Sequence, residues 1–186
     1  MYLIYTKKTG ILLNRKLYEA WQREKRPWHP NNRVISLNLE QITLIAVYQP
    51  VRGSENYEEE LRGIHTEIER IIAITAPTKP LLIGGDFNSQ IGRQTAAIQG
   101  TVGKFGLETT NTQGKVLKDW LAQNELCWIN SFYHMHRRGT WFNRSHATWH
   151  EIDGFITRKK DRHTLIKGIC NMEHSNHTDH NAIVVT

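Results

Sequence analysis

Three short runs of this 186-residue chain carry side chains able to do chemistry. The first, Gly84-Gly85-Asp86-Phe87-Asn88, follows the apolar run Leu81-Leu82-Ile83. Glycines after a buried strand permit a sharp turn, which would leave Asp86 and Asn88 exposed at the C-terminal edge of a sheet. A carboxylate and an amide two residues apart can share one task, the acid activating a water and the amide fixing that water or a phosphate oxygen. The same residues also make an ordinary turn, since Gly, Asp and Asn are turn formers. The second run is Glu151-Ile152-Asp153-Gly154-Phe155-Ile156-Thr157. Alternation sets Ile152, Gly154 and Ile156 on one face and Asp153 with Phe155 on the other. An acid in mid-strand is paired with a cation, a metal or a hydrogen-bond donor, or it lies on an edge strand and meets water. The third run, Asn176-His177-Thr178-Asp179-His180-Asn181, precedes the last apolar segment. Aspartate offers a hard oxygen ligand, and histidine is the side chain that ordinarily titrates near neutrality. His174, His177 and His180, or His146 with His150, could ligate a transition metal. No thiolate lies nearby and neither spacing matches HExxH, so structural zinc is the weaker reading.

The elements that must position these runs follow from periodicity. Residues 11–13, 33–39 and 42–47 read as short strands, and Tyr48-Gln49-Pro50 closes the third. The polar, basic stretch 15–32, ending with Pro27, Pro30 and Asn31-Asn32, reads as a loop. Tyr57, Leu61, Ile64, Ile68, Ile71 and Ile72 trace one apolar helical stripe, with Asn56 as N-cap, Glu59 three residues on, and Pro77 as the stop. Residues 80–86 read as a buried strand running into the glycine turn. A second helix over 114–123 shows Val116, Leu117, Trp120 and Leu121 on one face, and strands follow at 126–130, 151–157 and 181–185. Strands alternating with a few helices predict an α/β domain.

Composition narrows the class. Hydrophobic residues make up 39% and charged residues 23%, which excludes a disordered chain. The longest apolar stretch falls far short of the ~20 residues of a membrane span, and the first residues lack a signal-peptide core. The two cysteines, Cys127 and Cys170, match no metal spacing and read as buried thiols of a reducing compartment. An intracellular protein, with the nucleus as one destination, is the expectation. Charge is uneven: residues 1–38 carry eight basic and two acidic side chains, 39–78 three and seven, 137–186 eight and five. Basic ends around an acidic middle suit a polyanion such as nucleic acid, although a solvated face on an ordinary protein reads the same way.

Together the runs GGDFN, IDGFI and TDH, in this order and spacing, resemble the endonuclease/exonuclease/phosphatase superfamily, the fold of deoxyribonuclease I and the exonuclease III-type apurinic endonucleases. Val47-Tyr48-Gln49-Pro50 resembles that family's strand ending in Tyr-x-Pro. Thr140-Trp141, followed by Arg144-Ser145-His146-Ala147-Thr148-Trp149-His150-Glu151-Ile152-Asp153, is similar to endonuclease domains of LINE-type non-LTR retrotransposons and to craniofacial-development-protein-like sequences. Val102-Gly103-Lys104-Phe105-Gly106-Leu107 and Asn111-x-x-Gly114 look like the same subgroup. The resemblance covers Gly10 to the C-terminus.

It implies a four-layer α/β/β/α sandwich of two mixed sheets and hydrolysis of a phosphodiester by water, assisted by Mg²⁺ or Mn²⁺. Carried over by motif, Asp86 would orient or deprotonate the water and Asn88 would hold it or a phosphate oxygen. Asp179 would bind the metal. His180 would contact the scissile phosphate, oriented by Asp153, and Tyr48 would hydrogen-bond that phosphate. Thr140 would touch the nucleic-acid backbone. Read from the residues themselves, Arg137 and Arg138 neutralise phosphates if the loop before Thr140 lies along the groove, and Trp141 and Trp149 stack on bases or simply pack. The family opens with a strand bearing an Asn and a second ending in a metal-binding Glu. Nothing before Gly10 matches them, and Glu19 and Glu24 lie in the wrong place to substitute. The expectation is therefore one domain over residues 1–186, N-terminally incomplete, without the family's first strands and principal metal carboxylate, and with an unpaired edge or exposed apolar surface. Three functions fit: a metal-dependent endonuclease of retroelement origin acting on nucleic acid, with DNA the expected form; a catalytically inactive nucleic-acid-binding remnant; and a phosphatase of the same superfamily.

Overall fold

Alternating apolar residues decide how the first strands pair. In the computed structural model, which describes residues 1–23, 32–93, 100–107, 109–172 and 178–186, the chain forms two compact units, Met1–Asp86 and Phe87–Thr186. In the first unit, β1 (Tyr2–Tyr5) pairs antiparallel with β2 (Gly10–Leu13), Tyr2 opposite Leu13. Residues 2–5, expected to match nothing, thus give the 11–13 strand a partner. The stretch expected as a loop forms helix α1 (Arg15–Arg23) over its first half. Asn14 Oδ1 accepts from Leu17 N–H at 2.9 Å, and Arg15 pairs with Glu19 one turn on at 2.7 Å. The helix has no buried residue, so its polar surface hid the weak Leu17, Tyr18, Trp21 stripe. Glu24, Pro27, Pro30 and Asn31 lie outside the described residues.

Next, β3 (Val34–Asn38) and β4 (Thr43–Tyr48) form an antiparallel hairpin. Ile35 and Leu37 project with Ile4 and Leu13 into one core cluster, against which Ile11, Tyr18, Trp21 and Ala46 pack. Each such burial contributes about 1.5–3 kcal/mol before entropy. Helix α2 (Tyr57–Ile74) buries Leu61, Ile64, Ile68 and Ile71 and returns the chain to β5 (Leu81–Asp86), which lies parallel to β4. A parallel neighbour needs such a crossover. The helix begins as expected, but Asn56 does not cap it through its side chain: it sits at φ 61° in the left-handed region. The expected glycine turn is also absent. Gly84 and Gly85 lie within β5, opposite Ala46 and Val47, and a Cβ on Gly85 would overlap the Val47 carbonyl. Glycine here allows two backbones to approach.

In the second unit, helix α3 (Thr112–Gln123) starts two residues earlier than expected and is capped by Asn111, whose Oδ1 accepts from Gly114 N–H at 2.7 Å. Leu117, Trp120 and Leu121 are buried, whereas Val116, expected beside them, is exposed. Strand β6 (Leu126–Trp128) stops short of residue 130 and gives way to a 3₁₀ turn over Ile129–Phe132. The hairpin β7 (Trp141–Asn143) and β8 (Thr148–His150) precedes β9 (Asp153–Arg158), which pairs antiparallel with β6. A short helix α4 (Arg162–Leu165) leads to the antiparallel pair β10 (Ile169–Met172) and β11 (Ala182–Val185). Phe87 meets Trp128 edge-on at 5.1 Å between ring centroids, and a Cβ on Gly154 would strike the Trp128 ring. Cys127 is buried in β6 as expected, and burial pushes its thiol up to about 11. Cys170 in β10 is exposed, contrary to expectation, because it is an outward residue of a two-stranded pair. The α/β class and a mixed sheet, antiparallel at β3–β4 and parallel at β4–β5, are as the sequence predicts. Among the described residues no helix is long and apolar enough to cross a membrane.

Candidate active site

In the first unit the register of β4 and β5 sets Tyr48 opposite Asp86 at the C-terminal ends of two parallel strands, the edge where open α/β sheets bind ligands. Gln49 N–H donates to the Asp86 carbonyl at 2.8 Å. The Arg33 guanidinium lies 5.4 Å from the Tyr48 ring centre and pairs with Glu60 at 2.7 Å. Gln49, almost wholly buried, directs its amide nitrogen at His65 Nε2, 3.2 Å away. An amide nitrogen only donates, so the imidazole accepts and is neutral. Burial drives its pKa down to about 4, with Glu69 partly opposing.

This has a pH consequence. Unfolded, His65 takes up a proton below about pH 6.5; folded, it does so only near 4. The unfolded chain binds more protons between those values, so the contribution is complete above 6.5 and lost as pH falls towards 4, to about 3 kcal/mol. Denaturant unfolding of the native chain and of His65→Leu at pH 7 and 4.5 checks this: the drop should be markedly smaller in the variant, and equal drops would refute it.

In the second unit two pairs of the sequence-predicted residues meet, His180 with Asp153 and Trp141 with Asp179. Phe87, the residue after Asp86, donates its N–H to the Ile152 carbonyl at 2.9 Å, just before Asp153. Asn88 follows, half-buried and at φ 46°. His180 Nδ1 lies 3.0 Å from Asp153 Oδ2, with the two side chains 33% and 20% exposed. Trp141 donates its indole N–H to Asp179 Oδ2 at 3.0 Å. That hydrogen bond, then a backbone one, holds the Asp179 carboxyl below the usual carboxylate range. Main-chain bonds tie the segments together: Phe142 N–H to Asp179 O at 2.8 Å and Asn181 N–H to Thr140 O at 2.7 Å.

Thr140 is fully buried, and its hydroxyl accepts from the N–H groups of Ile152 and Asp153, each at 3.0 Å. It therefore fixes the start of β9 rather than meeting a nucleic-acid backbone. Arg138 is likewise committed inward: its guanidinium forms a two-pronged pair with Glu151 at 3.0 and 2.9 Å and donates to the carbonyls of Tyr133 and Asn130. Arg137 is exposed. Trp141 is half-buried with its ring against His150, while Trp149 is 44% exposed beside Phe142. Arg137, Arg138 and Trp149 line a cleft of about 370 Å³ with Leu107, His136, Gly139 and Asn181. His174 and His177 lie outside the described residues. The sequence reading missed Glu151 as the partner of Arg138 and Gln90 as the partner of His150. Glu151 carried a signal, an acid two residues before Asp153; Gln90 carried none.

No known family model matches the sequence. Over 141 residues the chain is 30% identical to Craniofacial development protein 2 of Tragulus javanicus, covering 73% of this chain and 24% of that protein. The chain thus spans about a quarter of the length of this relative. Its backbone superposes on a 3′ phosphatase, NExo from Neisseria, solved with a product DNA hairpin, at a TM-score of 0.62 and 13% identity, over 85% of this chain and 65% of that one. An AP endonuclease from Archaeoglobus fulgidus gives 0.60 and 12%, over 83% and 65%.

Proposed function

We propose, from the endonuclease/exonuclease/phosphatase fold that this chain shares with those structures, that it hydrolyses phosphodiester bonds of nucleic acid with Mg²⁺ or Mn²⁺, as an endonuclease domain of retroelement origin. The observation that carries the reading is the His180–Asp153 pair at 3.0 Å beside Asp179. A carboxylate on Nδ1 orients the ring, as in other sites where imidazole meets a developing negative charge.

The donor chemistry suits a hard cation: Asp179 offers carboxylate oxygens, and the hydrogen bond from its indole partner holds that carboxyl below the usual range. Asp179 would hold the ion, which when bound supplies charge neutralisation at the phosphate. By the motif resemblance, Asp86 is the residue that would take the proton from the attacking water, and Asn88 the one that would hold that water or a phosphate oxygen. His180 donates to the scissile phosphate, and by the motif resemblance Tyr48 is a further hydroxyl that would donate to a phosphate. Arg137 neutralises a flanking phosphate. Arg138 and Thr140 brace the scaffold.

Incubation with supercoiled plasmid DNA and Mg²⁺ should convert it to open circles, and a chelator should stop the conversion. Nicking that survives Asp86→Ala would overturn the assignment. DNA binding without nicking would make the chain a binding module, and release of phosphate from inositol phosphates without DNA cleavage would make it a phosphatase.

A further inference from the structure

Trp141 is doubly anchored, and its polar atom points at one place. Its indole N–H donates to Asp179 Oδ2 at 3.0 Å, and the next residue, Phe142, donates its main-chain N–H to the Asp179 carbonyl at 2.8 Å. Its main chain forms an antiparallel bridge with His180. The ring lies against His150, 5.5 Å between centroids and 30° between planes, and 6.5 Å from His180. His150 is itself gripped on both nitrogens, by the Gln90 amide at 2.7 Å and the Thr148 hydroxyl at 3.0 Å. A carboxylate on a chain segment before the short strand β11 would otherwise turn freely about its two side-chain bonds. Here one oxygen accepts from an indole whose ring lies against His150.

We infer that Trp141 is a positioning residue that orients the Asp179 carboxylate for a divalent cation, held in turn by the Gln90–His150–Thr148 clasp. This rests on the reading of Asp179 as a cation ligand. It differs from a base-stacking role, since the indole N–H and one ring face are used within the protein. Hydrogen bonds to ligating carboxylates are part of what sets metal affinity, and losing one costs about ten- to a hundredfold.

The test is Mn²⁺ binding without substrate, followed by the electron paramagnetic resonance of the free ion, for the unsubstituted chain, Asp179→Asn and Trp141→Phe. The expected result is loss of binding in Asp179→Asn and about ten- to a hundredfold weaker binding in Trp141→Phe. Unchanged affinity in Trp141→Phe, with binding lost in Asp179→Asn, overturns the inference. Unchanged affinity in Asp179→Asn, or no binding by the unsubstituted chain, overturns instead the cation reading on which it rests. A second measurement needs no variant: substoichiometric Mn²⁺ should broaden the Trp141 indole N–H resonance before those of the buried Trp120 and Trp128. A Trp141 resonance that stays sharp as the site fills would also overturn the inference.

Discussion

Replacing His180 by alanine should slow Mg²⁺-dependent plasmid nicking by about 10²–10⁴-fold, the range over which a positioned proton donor acts, with a much smaller change in DNA affinity. The imidazole is 33% and its partner 20% exposed, Nδ1 facing Asp153 Oδ2 at 3.0 Å. A ring held by one nitrogen presents the other in a defined direction. An interaction made chiefly in the transition state lowers the turnover rate rather than weakening binding. Asp153→Asn keeps the shape but removes the charge that fixes the ring, so it should lose much of the same rate. Because the two act as one unit, the double variant should fall little below His180→Ala alone. Single-turnover nicking with saturating enzyme measures this. Losses that multiply would show two independent groups and dismantle the pair as the site's working part.

Breaking the Arg138–Glu151 pair should cost about 3–5 kcal/mol of stability, since removing one member leaves the other charge buried. The guanidinium is 10% and the carboxylate 7% exposed. The carboxylate also accepts from Leu107 N–H at 3.2 Å, and the guanidinium satisfies two carbonyls of the Asn130 to Tyr133 turn. Glu151→Leu or Arg138→Met would thus leave several groups short of partners at once, against a total stability of about 5–15 kcal/mol for a typical domain. The joint substitution Arg138→Met with Glu151→Leu should cost less than the two singles summed, because neither charge is stranded. Urea unfolding of the three variants checks both statements; a single-variant loss below about 1 kcal/mol would mean the pair behaves as a surface one. The functional corollary concerns salt. A guanidinium committed to Glu151 releases no DNA counterions, so the salt dependence of DNA binding should be unchanged by Arg138→Met and shallower by about one unit in Arg137→Ala.

Periodicity carried most of the architecture. The α2 stripe, the β4 alternation and the apolar run of β5 are properties of residues close in sequence, and each appears within a few positions of where it was read. Helix α1 escaped because its apolar residues are few and none is buried, so nothing in composition set it apart from a polar loop. The glycines of GGDFN, which the sequence presents as a turn, lie inside β5. Glycine signals either conformational freedom or close approach, and only the Val47 backbone opposite Gly85 shows which.

The sequence by itself determined which side chains were available for chemistry: Asp86, Asn88, Asp153, Asp179 and His180, with a tyrosine closing β4. Residue type and order suffice for that, because a side chain's donor and acceptor atoms and its ligand preference are its own. Which groups face which was decided only by tertiary structure. Two neighbouring arginines read identically in sequence, yet Arg138 turns inward to Glu151 while Arg137 faces solvent. Trp141 and Trp149 read alike too, yet one binds a carboxylate and the other lines a cleft. The reason is range: partners such as Trp141 and Asp179 stand 38 positions apart, and only the packed strands, by fixing register, bring one particular pair to hydrogen-bonding distance.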